Sequence, residues 1–91
     1  MKTNFESEGG RIQVQESLKL LIVEKTGIRL EDINEQSSFS DDLDIDSLDQ
    51  IEIAMEAEKR FDIRLPDEEI ERLRYFSDWV DFIFDRQKQY A

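Results

Sequence analysis

Ser47 is the residue of this 91-residue chain best placed to do chemistry. It lies in the run Phe39-Ser40-Asp41-Asp42-Leu43-Asp44-Ile45-Asp46-Ser47-Leu48-Asp49, among carboxylates and backed by apolar residues. A serine hydroxyl becomes nucleophilic at neutral pH only with a general base in reach. The chain has no histidine and no cysteine. Asp46 and Asp49 are weak bases unless buried, and this stretch is too polar to bury. The same absences exclude cysteine nucleophiles, zinc sites built on Cys and His, and a Ser-His-Asp triad. A calcium loop fails on register: with Asp42, Asp44 and Asp46 as the first ligands, the positions needing glycine and a bidentate acid hold Ser47 and Ile53. No metal site is expected. From the residues alone two roles stay open, a helix N-cap and a covalent attachment point. Asp or Ser before an apolar-periodic run is ordinarily a cap, and nothing in spacing or charge requires Ser47 to be modified.

The elements that must hold Ser47 follow from periodicity. Val14, Leu18, Leu21 and Ile22 recur at helical steps, and Thr26-Gly27 supplies a stop, so a first helix is expected over Gln13–Thr26. Ile28–Ser38 reads as a connection with one short turn near Glu31–Ile33, and Ile28, Leu30 and Ile33 should hold it against the core. A second helix should start at Asp46 or Ser47 and end near Arg60 or Phe61. Leu48, Ile51, Ile53, Ala54, Met55, Ala57 and Phe61 are assigned to one broad apolar arc, with Glu58 the single charge inside it. Leu65-Pro66-Asp67-Glu68-Glu69 is a helix-start signature and predicts a short helix over Asp67–Leu73. A last helix begins at Tyr75 or Ser77 and carries Phe76, Val80 and Ile83 on one face. No stretch alternates with period two. The expectation is an all-α bundle of three main helices and one short one, with residues 1–10 a disordered tail, 11–87 the folded domain and 88–91 a C-terminal tail.

Composition bounds what such a domain does. At this size folding buries roughly 60–70% of the unfolded surface, enough for one core. Twenty-three acidic against 12 basic residues give a net charge of −11. That surface repels nucleic acid and anionic membranes and attracts basic protein patches. No run approaches the ~18 apolar residues that span a bilayer. Met1–Gly10 has neither the apolar core of a signal peptide nor the arginines of a transit peptide. A cytoplasmic monomer is expected.

The sequence resembles the acyl carrier proteins. The likeness starts with Phe39-Ser40-Asp41-Asp42-Leu43 and Asp44-Ile45-Asp46-Ser47-Leu48-Asp49. It continues through Ile51-Glu52-Ile53-Ala54-Met55, Phe61-Asp62, Leu65-Pro66-Asp67-Glu68-Glu69 and Val80-Asp81-Phe82-Ile83, with Gly27-Ile28 and Ile33 upstream. It covers about Val14–Ile83. The resemblance implies that Ser47 carries 4′-phosphopantetheine, transferred from coenzyme A by a separate phosphopantetheinyl transferase, and that the chain itself is not an enzyme. It implies acyl thioesters as cargo for fatty-acid, specialised-lipid or polyketide synthesis. It also implies that Asp46, Asp49, Glu52 and Glu56 meet basic patches on loading and synthase enzymes. Phe39, Ala54, Met55, Ala57, Leu65, Ile70, Leu73 and Ile83 would shelter the cargo. Two alternatives stand beside this: an aminoacyl or peptidyl carrier, and an unmodified acidic docking module. Several residues depart from the family pattern: Asp44 where glycine is frequent, basic Lys59 and Arg60, bulky Trp79, and Tyr75 where a capping Thr or Ser is common. They point to a dedicated pathway.

Overall fold

The computed structural model describes residues 9–90. Among them the chain forms α1 (Gly9–Thr26), a 3₁₀ turn (Leu30–Asp32), α2 (Ser47–Phe61), α3 (Asp67–Ile70) and α4 (Phe76–Tyr90). There is no strand among these residues, only an isolated antiparallel bridge between Ser38 and Tyr75. α1 packs against both α4 and α2, and α3 lies on α2.

α1 begins at Gly9, four residues before the expected start, and α4 runs to Tyr90. The helices therefore extend past both boundaries drawn from composition, and the rest of the expected N-terminal tail lies outside the described residues. Two glycines are poor helix formers, but Gly10 has a packing reason to be glycine. A Cβ there would stand 3.1 Å from Phe84 Cε1, so its absence lets α1 approach α4. Arg11 then ties the two helices by donating to Asp81 Oδ1 at 2.8 Å. At its other end α1 stops where expected. Gly27 takes φ 81° and donates to Val23 O, while Thr26 Oγ1 donates to Ile22 O at 2.7 Å.

The core is one continuous cluster drawn from all four helices and from the loops. Val14, Leu18, Leu21 and Ile22 come from α1, and Phe76, Trp79, Val80 and Ile83 from α4. Ile33, Phe39, Leu43, Ile45 and Ile63 are loop residues buried as completely as the helical ones. Trp79, which departs from the family pattern by its bulk, is fully buried. Its ring stacks on Phe39 with centroids 4.6 Å apart and planes 4° from parallel, and its Nε1–H donates to Leu73 O at 3.2 Å.

α3 is shorter than its signature predicted. After Ile70 the chain tightens into turns in which Arg72 N–H donates to Glu69 O and Leu73 N–H to Ile70 O. α4 starts at Phe76, and Tyr75 indeed brings no capping side chain. The free N–H groups of the first turn are met from the 35–37 loop instead, Phe76 N–H donating to Ser37 O at 2.8 Å and Ser77 N–H to Glu35 O at 3.0 Å. Asp78 Oδ2 reaches back to accept from the N–H groups of Arg74 and Tyr75 at 3.1 and 3.0 Å.

Candidate functional site

The loop before α2 is shaped by its own side chains. Ser38 O accepts from the N–H groups of both Asp42 and Leu43, Ser38 N–H donates to Asp42 Oδ2, and Asp41 N–H donates to Ser38 Oγ. Ile45 N–H donates to Phe39 O at 2.8 Å. Phe39, Leu43 and Ile45 point inward, while Asp41, Asp42, Asp44 and Asp46 stay exposed. Asp44 takes the left-handed conformation at φ 55°. That is the backbone geometry for which glycine is usual and aspartate is a tolerable substitute.

Asp46 caps α2. Its backbone is extended (φ −79°, ψ 174°), and Oδ1 accepts from Asp49 N–H at 2.9 Å. With the cap supplied by Asp46, Ser47 is the first helical residue and is exposed. Among the described residues its Oγ takes part in no hydrogen bond. Gln50 secures the first turn of α2 from the other side, donating from Nε2 to Ile45 O at 3.0 Å.

The broad apolar arc expected on α2 divides in two. Ile53, Ala54, Ala57 and Phe61 are buried. Leu48, Ile51 and Met55 are 65%, 36% and 54% exposed. At 3.6 residues per turn the buried set spans about 100°, and the exposed set forms a stripe centred roughly 140° away. Met55 is thereby corrected: it faces solvent, not the interior. The stripe runs beside the acids. Glu52 is exposed and Asp49 half-buried, whereas Glu56 is half-buried and sits 3.7 Å from Lys25 Nζ. Glu58, the misfit charge, has a structural role, since its Oε2 accepts from Leu65 N–H at 2.7 Å and holds the loop after α2. Lys59 is exposed, and Arg60 reaches Glu24 at 3.3 Å.

The other expected cargo-lining residues, Phe39, Ala54, Ala57, Leu65, Ile70, Leu73 and Ile83, are all core. Three of them, Phe39, Ile70 and Leu73, also form apolar parts of a surface groove of about 360 Å³ between the 38–41 loop and residues 70–75. Gln50 contributes to that groove from α2, one turn beyond Ser47. Its polar residues, Arg74 and Tyr75 among them, carry no sequence signal of a shared site. A larger opening of about 420 Å³ lies at the far end of α2, bordered by Gly10, Arg60, Phe61, Phe84 and Lys88. Thirteen residues of helix separate it from Ser47, about 20 Å of rise.

The family model described as a phosphopantetheine attachment site matches residues 16–83, about three quarters of the chain. The chain belongs to that family. Its fold is similar to the crystal structure of an acyl carrier protein from Thermotoga maritima, with a TM-score of 0.82 and 28% sequence identity. The similarity covers 93% of this chain and 99% of that one. Proteins of this family and fold are carriers without catalytic activity of their own, and the family's cofactor is a covalent 4′-phosphopantetheine. The residues around Ser47 fit such a group. The hydroxyl is exposed, and the N–H groups of Ser47 and Leu48, in the first turn of a 15-residue helix, have no intrahelical partner to satisfy.

Proposed function

We propose that Ser47 is the attachment residue and that the chain carries acyl groups as thioesters between enzymes of fatty-acid, specialised-lipid or polyketide synthesis. The observation that carries this is the division of labour at the head of α2: Asp46 takes the cap, which leaves the Ser47 hydroxyl unengaged and exposed. In the loading step Ser47 Oγ forms a bond to phosphorus while the diphosphate of coenzyme A breaks. The leaving nucleotide departs, and the transferase takes the hydroxyl proton. No base is needed from this chain, which has no histidine or cysteine to offer. When bound, the arm supplies a terminal thiol for thioester exchange. The chain's own residues do the rest: they hold the serine at the helix start, and the unbonded N–H groups of Ser47 and Leu48 would offset the charge of the phosphodiester.

Partners dock on the exposed side of α2. The stripe of Leu48, Ile51 and Met55 supplies apolar contact, while Asp46, Asp49 and Glu52, with Glu56 shared with Lys25, orient a basic surface over it. Each exposed pair contributes only about 0–1 kcal/mol, which suits a protein that must visit and release several enzymes. The mixed lower end of α2, with Lys59 and Arg60, and the charge of Asp44 beside the arm favour a dedicated pathway over a housekeeping one. The setting is the cytoplasm. Intact-mass analysis after incubation with coenzyme A and a broad-specificity transferase checks the proposal. One phosphopantetheine is expected on the wild type and none on Ser47→Ala. No gain with several transferases would point instead to an unmodified docking module.

A further inference from the structure

A cargo tethered at Ser47 has two places to go, and they differ in chemistry. The first is the interior between α2 and α4. There Phe39 and Trp79 are stacked face to face and 1% and 0% exposed, and Trp79 Nε1–H is bonded to Leu73 O. A chain entering past Phe39 must part this stack, and any movement of the indole away from Leu73 O also leaves a buried N–H without its partner. The surrounding walls are also tied. Phe39 N–H donates to Arg74 O at 3.0 Å and Phe76 N–H to Ser37 O at 2.8 Å, so the 37–41 loop is stitched to the α3–α4 junction.

The second place is the surface groove that Phe39 lines from the other side. Its floor is Phe39, Ile70 and Leu73, and its rim is polar. Gln50 spends Nε2 on Ile45 O and keeps its Oε1, and Tyr75 is 46% exposed. Arg74 is exposed, and its guanidinium joins no ion pair among the described residues. Gln50 is one helical turn from Ser47, so the tether begins at the groove's edge.

We infer that the Phe39–Trp79 stack keeps the acyl group out of the core and that the Gln50–Arg74–Tyr75 groove receives it, so that the cargo is a short acyl group bearing hydrogen-bonding substituents, not a long alkyl chain. This rests on Ser47 carrying the arm. Trp79 is then a specificity-determining residue, acting by exclusion.

Loading by a transferase from hydroxybutyryl- and decanoyl-coenzyme A gives two forms to set against the holo protein, each verified by intact mass. Trp79 is the single tryptophan of the chain, so its emission reports the stack. The expected result is unchanged Trp79 emission in both acyl forms. The hydroxybutyryl form should shift the backbone amide resonances of Gln50, Arg74 and Tyr75, and the decanoyl form should leave the Ala57 and Ile83 methyl resonances in place. A decanoyl form with altered emission and displaced core methyls overturns the inference and leaves attachment at Ser47 standing. Unmoved groove amides in the hydroxybutyryl form overturn it as well. Absence of any mass gain overturns attachment and inference together. Removing the plug supplies a second comparison. In Trp79→Ala, or in Trp79→Leu if the first does not fold, decanoyl loading should raise the thermal midpoint above that of the variant's holo form. The same rise in the wild type contradicts exclusion.

Discussion

At Asp44 the backbone turns left-handed, φ 55°, immediately after the buried Leu43 and before the buried Ile45. The turn lets two apolar residues point inward while four carboxylates stay in water. Its conformation, not its charge, is what the fold requires. Asp44→Gly should therefore stay within about 1 kcal/mol of the wild type, since the relief at positive φ offsets the added freedom of the unfolded chain. Asp44→Val, with a β-branched side chain at the same φ, should lose about 1–2 kcal/mol. Urea denaturation of the pair measures both, and equal stability of the two variants would contradict the assignment. Glu58 makes the complementary case of a charge kept for one bond. Its carboxylate accepts from Leu65 N–H at 2.7 Å from a partly buried position. Glu58→Ala should cost about 1–3 kcal/mol in the same measurement, because a partly buried N–H loses its partner. A loss indistinguishable from that of an exposed acid such as Glu52 would show that water replaces the bond. On the helical wheel Glu58 is only an anomaly. Its reason lies seven residues downstream, in a loop whose path periodicity does not describe.

α2 shows how far an element can be read from its pattern. Its start, its end and its amphipathic character are all visible, because capping chemistry and a period of 3.6 are local properties. What the pattern hides is that its apolar residues serve two surfaces. A stripe facing solvent and a stripe facing the core contain the same residue types, and only the positions of α1, α3 and α4 tell them apart. Ile45 and Ile63 were hidden for a related reason: single loop residues have no period, yet they are only 2% and 6% exposed. The early start of α1 escaped because glycine opposes helix locally, and the contact between Gly10 and Phe84 that justifies it spans the whole chain. From the residues alone Ser47 was legible as either a cap or an attachment point, with only the family resemblance favouring attachment, and the structure gives the cap to Asp46. The division of α2 leads to a test at the same scale. Met55→Ala should change stability by no more than about 0.5 kcal/mol and should still weaken binding to a transferase, read by titration calorimetry. Ile53→Ala, 0% exposed, should cost about 2–5 kcal/mol in unfolding free energy. If Met55→Ala destabilised the fold as much as Ile53→Ala, the two-surface description of α2 would fail.

Across the whole molecule, charge acts on folding and on docking with opposite signs. The net charge is −11, and five aspartates, Asp41, Asp42, Asp44, Asp46 and Asp49, fall within nine residues that contain no basic one. Their mutual repulsion is longer in range than the ion pairs that oppose it. Those pairs, such as Arg11–Asp81, Lys25–Glu56 and Arg60–Glu24, are partly or fully exposed and contribute about 0–1 kcal/mol each. The Arg11 guanidinium is held above the ordinary arginine range by its hydrogen bond to Asp81. A cation with a raised pKa stabilises the fold at every pH below its unfolded value and ceases to do so only above it. Arg11 thus adds no pH dependence between about pH 5 and 9, and salt is the cleaner lever. Raising NaCl from about 10 mM to 300 mM shortens the screening length from roughly 30 Å to below 10 Å. Repulsion across the acidic loop is then cut more than contact pairs a few ångströms apart. The thermal midpoint should rise over this range, and more in the holo form if the arm is on Ser47 as proposed, since its phosphodiester would then add another negative charge beside Asp44 and Asp46. Over the same range the association rate with a basic transferase should fall, because steering by the α2 acids is screened. A scanning calorimetry series and a stopped-flow series in matched buffers check the two halves. A midpoint that falls with salt would mean that the ion pairs, not the excess of carboxylates, set the electrostatic balance of the fold.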